Sequence, residues 1–138
     1  MRVYDSADEK SLIKAIELWS TVEPYSNLAS RTIGWRLLPA HRSNQIRHYW
    51  DGSRYAGFVT WCFLTDHEEQ SREFSGVEVF ARSSGDNLVV MDMIAPFGFG
   101  DVRFIAKDIR RQLSEIYPYV PAAKVWRGPR VGSFARSN

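Results

Sequence analysis

With 138 residues, 44% of them hydrophobic and 14% aromatic, the chain is long enough and apolar enough to bury its own core as one domain, 1–138, which excludes a disordered protein. A formal charge of +2 is too mild to indicate nucleic-acid binding, and no apolar run approaches the roughly 20 residues of a membrane span. The single cysteine, Cys62, excludes an internal disulfide, and the scattered His41, His48 and His67 offer no metal-ligand spacing. The polar start MRVYDSADEK is no signal peptide, so a soluble intracellular protein is expected.

In chain order, residues 7–21 read as an amphipathic helix, with Leu12, Ile13, Ile16 and Trp19 at helical spacing and Ser6 or Asp8 as its cap. Pro24 ends it, and a strand is expected near Thr32–Leu38, stopping at Pro39. Gln45–Trp50 alternates apolar and polar residues, Asp51-Gly52 supplies a tight turn, and Tyr55–Phe63 continues as a more buried strand. Cys62 lies in that apolar run and is expected to be a buried, inert thiol. Thr65–Phe74 suits a short surface helix, and Val77–Ala81 and Leu88–Ile94 read as two strands joined by a turn at Ser83–Asp86.

After Gly98-Phe99-Gly100, Asp101 can cap a second helix. Val102, Ile105, Ala106, Ile109 and Leu113 form its apolar face, while Arg103, Lys107, Arg110 and Arg111 point outward. Pro118 and Pro121 mark its exit, and Ala123–Trp126 is a last short strand. From about residue 127 the tail is basic, with Arg127, Arg130 and Arg136, and is expected to be mobile. This order predicts an α+β domain, a mostly antiparallel sheet flanked by helices, matching a GNAT-like acyltransferase fold.

Two places carry chemistry. Asp92 stands in an apolar strand, where a carboxylate must be compensated. It either pairs with a strand arginine such as Arg36 or Arg47, or it orients a base or an incoming amine. Gly98, Phe99 and Gly100 lie between a strand and a helix start, where backbone amides can approach a phosphate; a plain turn is the alternative reading. The outward Arg103, Lys107 and Arg110 could dock an acidic partner or form a solvated helix face. His41 and His48 read as surface or packing residues, with no Ser-His-Asp or Cys-His spacing.

The Asp92 segment resembles the signature of the toxin-activating lysine acyltransferases, which activate haemolysin-type RTX toxins. Ser84-Gly85-Asp86, then Asp92-Met93-Ile94-Ala95-Pro96-Phe97-Gly98, repeat that family's turn and motif at the same separation. Leu18-Trp19, Leu38-Pro39-Ala40, Asn44-Gln45 and Trp61 match upstream without a gap, so the resemblance covers most of residues 15–130, without the family's longer C-terminal part.

The resemblance implies a GNAT-like fold and transfer of a fatty acyl group from acyl carrier protein to a lysine ε-amine of a target protein. It also implies a phosphopantetheine-borne co-substrate rather than a tightly bound cofactor, a cytoplasmic location, and homodimers among relatives. The turn at Gly98, Phe99 and Gly100, with Arg103, would lie against the phosphopantetheine arm. The family pairs its strand aspartate, here Asp92, with a histidine after the first helix. Tyr25 holds that position, and Tyr25-Ser26-Asn27-Leu28-Ala29 replaces a His-Arg-x-Trp-Pro stretch. A phenol with an ordinary pKa of about 10 is a poor base at neutral pH. The alternative expectation is therefore a catalytically silent relative serving as a structural or assembly component, for example in a bacteriophage virion.

Overall fold

The computed structural model describes residues 2–5, 8–21, 37–120 and 122–125. Five strands form one sheet in the order β1 (Arg2–Asp5), β2 (Ile46–Asp51), β3 (Arg54–Leu64), β4 (Asn87–Ile94) and β5 (Lys124–Val125). The first three pairings are antiparallel and the β4–β5 pairing is parallel. Among the described residues the helices are α1 (Glu9–Thr21), α2 (Leu38–Arg42), α3 (Asp66–Ser71), α4 (Gly76–Phe80) and α5 (Phe99–Ile116). The α+β layering expected from the sequence is present.

β3 is the central strand and is buried along almost its whole length, so its sequence is a near-continuous apolar run rather than an alternating one. Its side chains divide the core in two. Phe58, Cys62 and Leu64 pack with Trp19 of α1, Leu37 before α2 and Phe80 of α4 on one face. Val59, Trp61 and Phe63 pack with Ile105, Ile109 and Leu113 of α5 on the other. Cys62 is a buried free thiol, as expected.

The β2–β3 hairpin forms where expected, with a small shift. Asp51 still pairs with Arg54, so the loop is Gly52-Ser53, and Gly52 takes the positive φ of 63° that its first position requires. Arg54 then reaches Asp101 at 2.9 Å and lies over the Phe97 ring, tying the hairpin to the start of α5.

Three expectations are corrected. Val77–Ala81 is not a strand: Gly76–Phe80 is helical, because the Ser75 hydroxyl caps it by accepting from the Glu78 amide and the adjacent Val79 and Phe80 are both buried. Of the strand expected over Thr32–Leu38, residues 32–36 lie outside the described residues, and Leu38 opens α2 with Pro39 in the first helical turn, where its missing amide costs nothing. Asp101 does not cap α5. Gly98 occupies that place, and Asp101 sits in the first turn facing Arg54.

Candidate active site

Asp92 is 1% exposed. It pairs across strands with Thr60, whose hydroxyl donates to the carboxylate at 2.9 Å. The register slips between Thr60 and Trp61, so that Met91 is the extra residue of a β-bulge immediately before Asp92. A bulge re-aims the neighbouring side chain and interrupts the ladder, a common device beside reactive groups. Thr60 shares its sheet face with Phe58 and Cys62, so Asp92 looks toward α1 rather than α5.

The course of α1 gives that face its direction. Trp50, near the hairpin, donates its indole N–H to Ser11 early in α1. Trp19, near its end, stacks on Phe58 with centroids 5.8 Å apart. The helix therefore runs along β3 toward the Thr60–Asp92 pair and ends at Thr21. Tyr25 and Arg36 lie outside the described residues.

His48 is on this face too, since it pairs with Phe58, and it is fully buried. Its Nδ1 lies 2.7 Å from the Tyr55 hydroxyl. Burial first, then the nearby Asp8 charge, pushes the Tyr55 phenol well above its ordinary pKa, so it stays protonated. Of the two expected roles, packing holds for His48. His41 is half-buried in α2.

Arg47, one of the two arginines expected to pair with Asp92, is committed elsewhere. Its Nε donates to Asp108 of α5 at 2.8 Å, the Tyr49 hydroxyl donates to the same oxygen at 2.7 Å, and Arg111 donates to the other at 2.8 Å. Burial alone would raise the Asp108 pKa, but these three bonds outweigh it and hold the carboxyl below its usual range. Burial and the Asp108 carboxylate together push the Tyr49 phenol far up. Sequence reasoning passes over Asp108, although its position between Ile105 and Ile109 places it on the apolar stripe of the helix.

The glycine turn opens to solvent. Gly98 adopts φ 140°, and a Cβ at Gly98 or Gly100 would meet nothing within 4 Å, so the backbone there can be approached closely. Phe97 and Phe99 are exposed, and Arg103 lies over the Phe99 ring at 5.1 Å. Arg103, Lys107 and Arg110 all face outward, as expected, while Arg111 is drawn to Asp108. Between α5 and β4 lies a groove of about 290 Å³ whose walls include Val90, Met93, Ala106 and Leu113. Among the described residues, β5 pairs only with Val89 and Val90 of β4, leaving the Met91–Ile94 edge without a strand partner on that side.

No described helix is long and apolar enough to cross a membrane. Among the described residues, no group of three or more His, Cys, Asp or Glu side chains could hold a metal ion.

Comparison with known proteins agrees with the Asp92 motif. The chain is 35% identical over 102 residues to the lysine-acyltransferase RtxC of Vibrio cholerae serotype O1, a match that takes in 70% of this chain and 58% of that protein. The chain thus spans little more than half the length of the relative it matches. A family model described as HlyC, the RTX toxin acyltransferase family, matches residues 6–124. That match takes in α1 to α5 and the whole of β2, β3 and β4, and the chain belongs to the RTX toxin acyltransferase family.

Proposed function

We propose that this chain transfers a fatty acyl group from acyl carrier protein to a lysine ε-amine of a protein target. The observation that carries the reading is the buried Asp92, set behind a β-bulge on a strand whose following turn is open to an incoming donor. A lysine ammonium must lose a proton before its nitrogen can attack, since its ordinary pKa is about 10.4. The nitrogen then adds to the thioester carbonyl, the carbon–sulfur bond breaks, an amide forms, and the thiol leaves with a proton. Asp92 would orient and polarise the amine as its charge changes, a role worth roughly 100- to 10,000-fold. Tyr25, which the resemblance sets at the family's histidine position, or a repositioned His41 would assist proton removal.

The donor side fits a carrier protein. Gly98, Phe99 and Gly100 present open backbone to the phosphopantetheine arm, and the exposed Arg103, Lys107 and Arg110 offer positive charge to an acidic carrier surface. Mass spectrometry tests this directly. Purified protein, acyl carrier protein charged with a series of acyl chains, and a lysine-bearing target should yield a target heavier by one acyl group. Asp92→Asn should reduce the product at least 100-fold, and Tyr25→Phe should reduce it if the phenol takes part. No acylation with any donor would favour the silent, structural relative that the replacement of the family histidine by Tyr25 suggests.

A further inference from the structure

The groove between β4 and α5 lies on the sheet face away from Asp92 and no step above uses it. We infer that it is the alkyl-chain site of this protein, taking a saturated acyl chain of about ten carbons with Tyr117 as its floor. The inference rests on the acyl-transfer reading for the identity of the head group; the groove's preference for an alkyl chain stands on its walls alone.

Leu88, Val90 and Met93 of β4 form one wall, and Ala106, Ile109 and Leu113 of α5 form the other. Ala122, Ala123 and Val125 close the side. Alanines at three of these places leave a trough that larger side chains would have filled. The polar side chains of the lining are Arg110 and Ser114, both on exposed positions of α5, and Tyr117, whose hydroxyl is engaged by Trp61. A peptide laid here would bury amides without partners, whereas an alkyl chain requires none. A water's share of the liquid is about 30 Å³, close to that of a methylene, so a groove of about 290 Å³ holds roughly ten.

The groove runs beside the strand that carries Asp92, on its other face. Its walls run along β4 from Met93, the neighbour of Asp92, to Leu88. Leu88 pairs with Phe63, and Tyr117 packs edge-on against the Phe63 ring at 5.1 Å. The Tyr117 hydroxyl also accepts from the Trp61 indole at 3.1 Å, which fixes the ring from a second side. The Leu88 end thus abuts a fixed aromatic ring, and the other end is formed by Met93, next to Asp92 in the chain but turned to the opposite face of the sheet.

The test is binding of straight-chain fatty acids, hexanoate to hexadecanoate, to the full chain, followed by calorimetry. Affinity should rise about fourfold per methylene while the groove fills, then level off at about ten to twelve carbons. Ala106→Trp should fill the trough and weaken decanoate at least tenfold. Tyr117→Ala should remove the floor and move the plateau to longer chains. Affinity indifferent to chain length, or unchanged in both variants, would overturn the assignment. Donor preference then separates the two ideas. Transfer that persists in Ala106→Trp with unaltered chain preference would remove the groove and leave the enzyme. Length-dependent binding in a wild-type protein that acylates nothing would leave the groove and remove the enzyme.

Discussion

Among the described residues each face of the sheet buries one aspartate, and the proposed function gives the two different roles. Asp108, on the α5 face, is 6% exposed and takes three donors on its two oxygens, two of them guanidinium groups. Its charge is compensated and its geometry overdetermined, so it fastens β2 to α5. Asp92, on the α1 face, counts the hydroxyl of Thr60 among its partners and lies directly after a bulge. It faces the helix whose end at Thr21 precedes Tyr25 in the chain. A charge clasped between cations does little but hold. A charge set on a strand distortion beside an open turn is the one that the proposed function puts to use.

Exchanging each carboxylate for its amide tests the contrast. Asp92→Asn should cost 100- to 10,000-fold in acyl transfer per folded molecule, while an amide oxygen still accepts from Thr60. Gly57→Ala should strike both faces at once. At φ 156° its new Cβ would lie 2.1 Å from the Ile94 carbonyl, two residues past Asp92, while the same residue pairs with Tyr49 of the Asp108 cluster. Relieving that clash should cost about 3 kcal/mol or more and lower melting temperature and transfer together. Asp108→Asn should do the reverse of Asp92→Asn. Tyr49 and two arginines would lose their charged acceptor, at a cost of about 2–3 kcal/mol, with transfer per folded molecule retained. A stable Asp108→Asn protein without transfer would erase the distinction.

Much of this contrast is legible in the amino-acid sequence. The Asp92-to-Gly98 motif, the hairpin at Asp51-Gly52 and the period of α5 all reflect local chemistry that one segment carries by itself. What the sequence hides is set by partners far along the chain. The stretch Val77–Ala81 alternates like a strand, yet the Ser75 cap and the simultaneous burial of Val79 and Phe80 make it a turn of helix. Arg47 is a plausible partner for Asp92 by residue type, but in β2 it lies on the Tyr49 side of the strand through its bond to Asp108, 61 residues away. His48 and Asp92 share a face only because β3 stands between their strands. Such register relations leave no mark in a local pattern.

The fastening kind of carboxylate has a second example, and it sets the smallest effect expected. Glu68 in α3 receives both Arg82 terminal nitrogens, at 2.6 and 2.9 Å, and also closes the capping box by accepting from the Thr65 amide. Arg82 further donates to the Phe63 carbonyl at 3.0 Å, so the pair ties the segment after α4 to the end of β3. The Arg82 bonds, opposed by partial desolvation, lower the Glu68 pKa to about 2. An unfolded glutamate titrates near about 4.3. Because the folded value is the lower one, the stabilisation is complete above the unfolded value and is lost as pH falls toward about 2. Glu68→Gln should therefore melt below the wild type at neutral pH, and the gap should close between about pH 4.3 and pH 2. A gap that stays constant through that window would show that Glu68 acts through its shape and its cap rather than its charge. The fastening role would then belong to Asp108 alone.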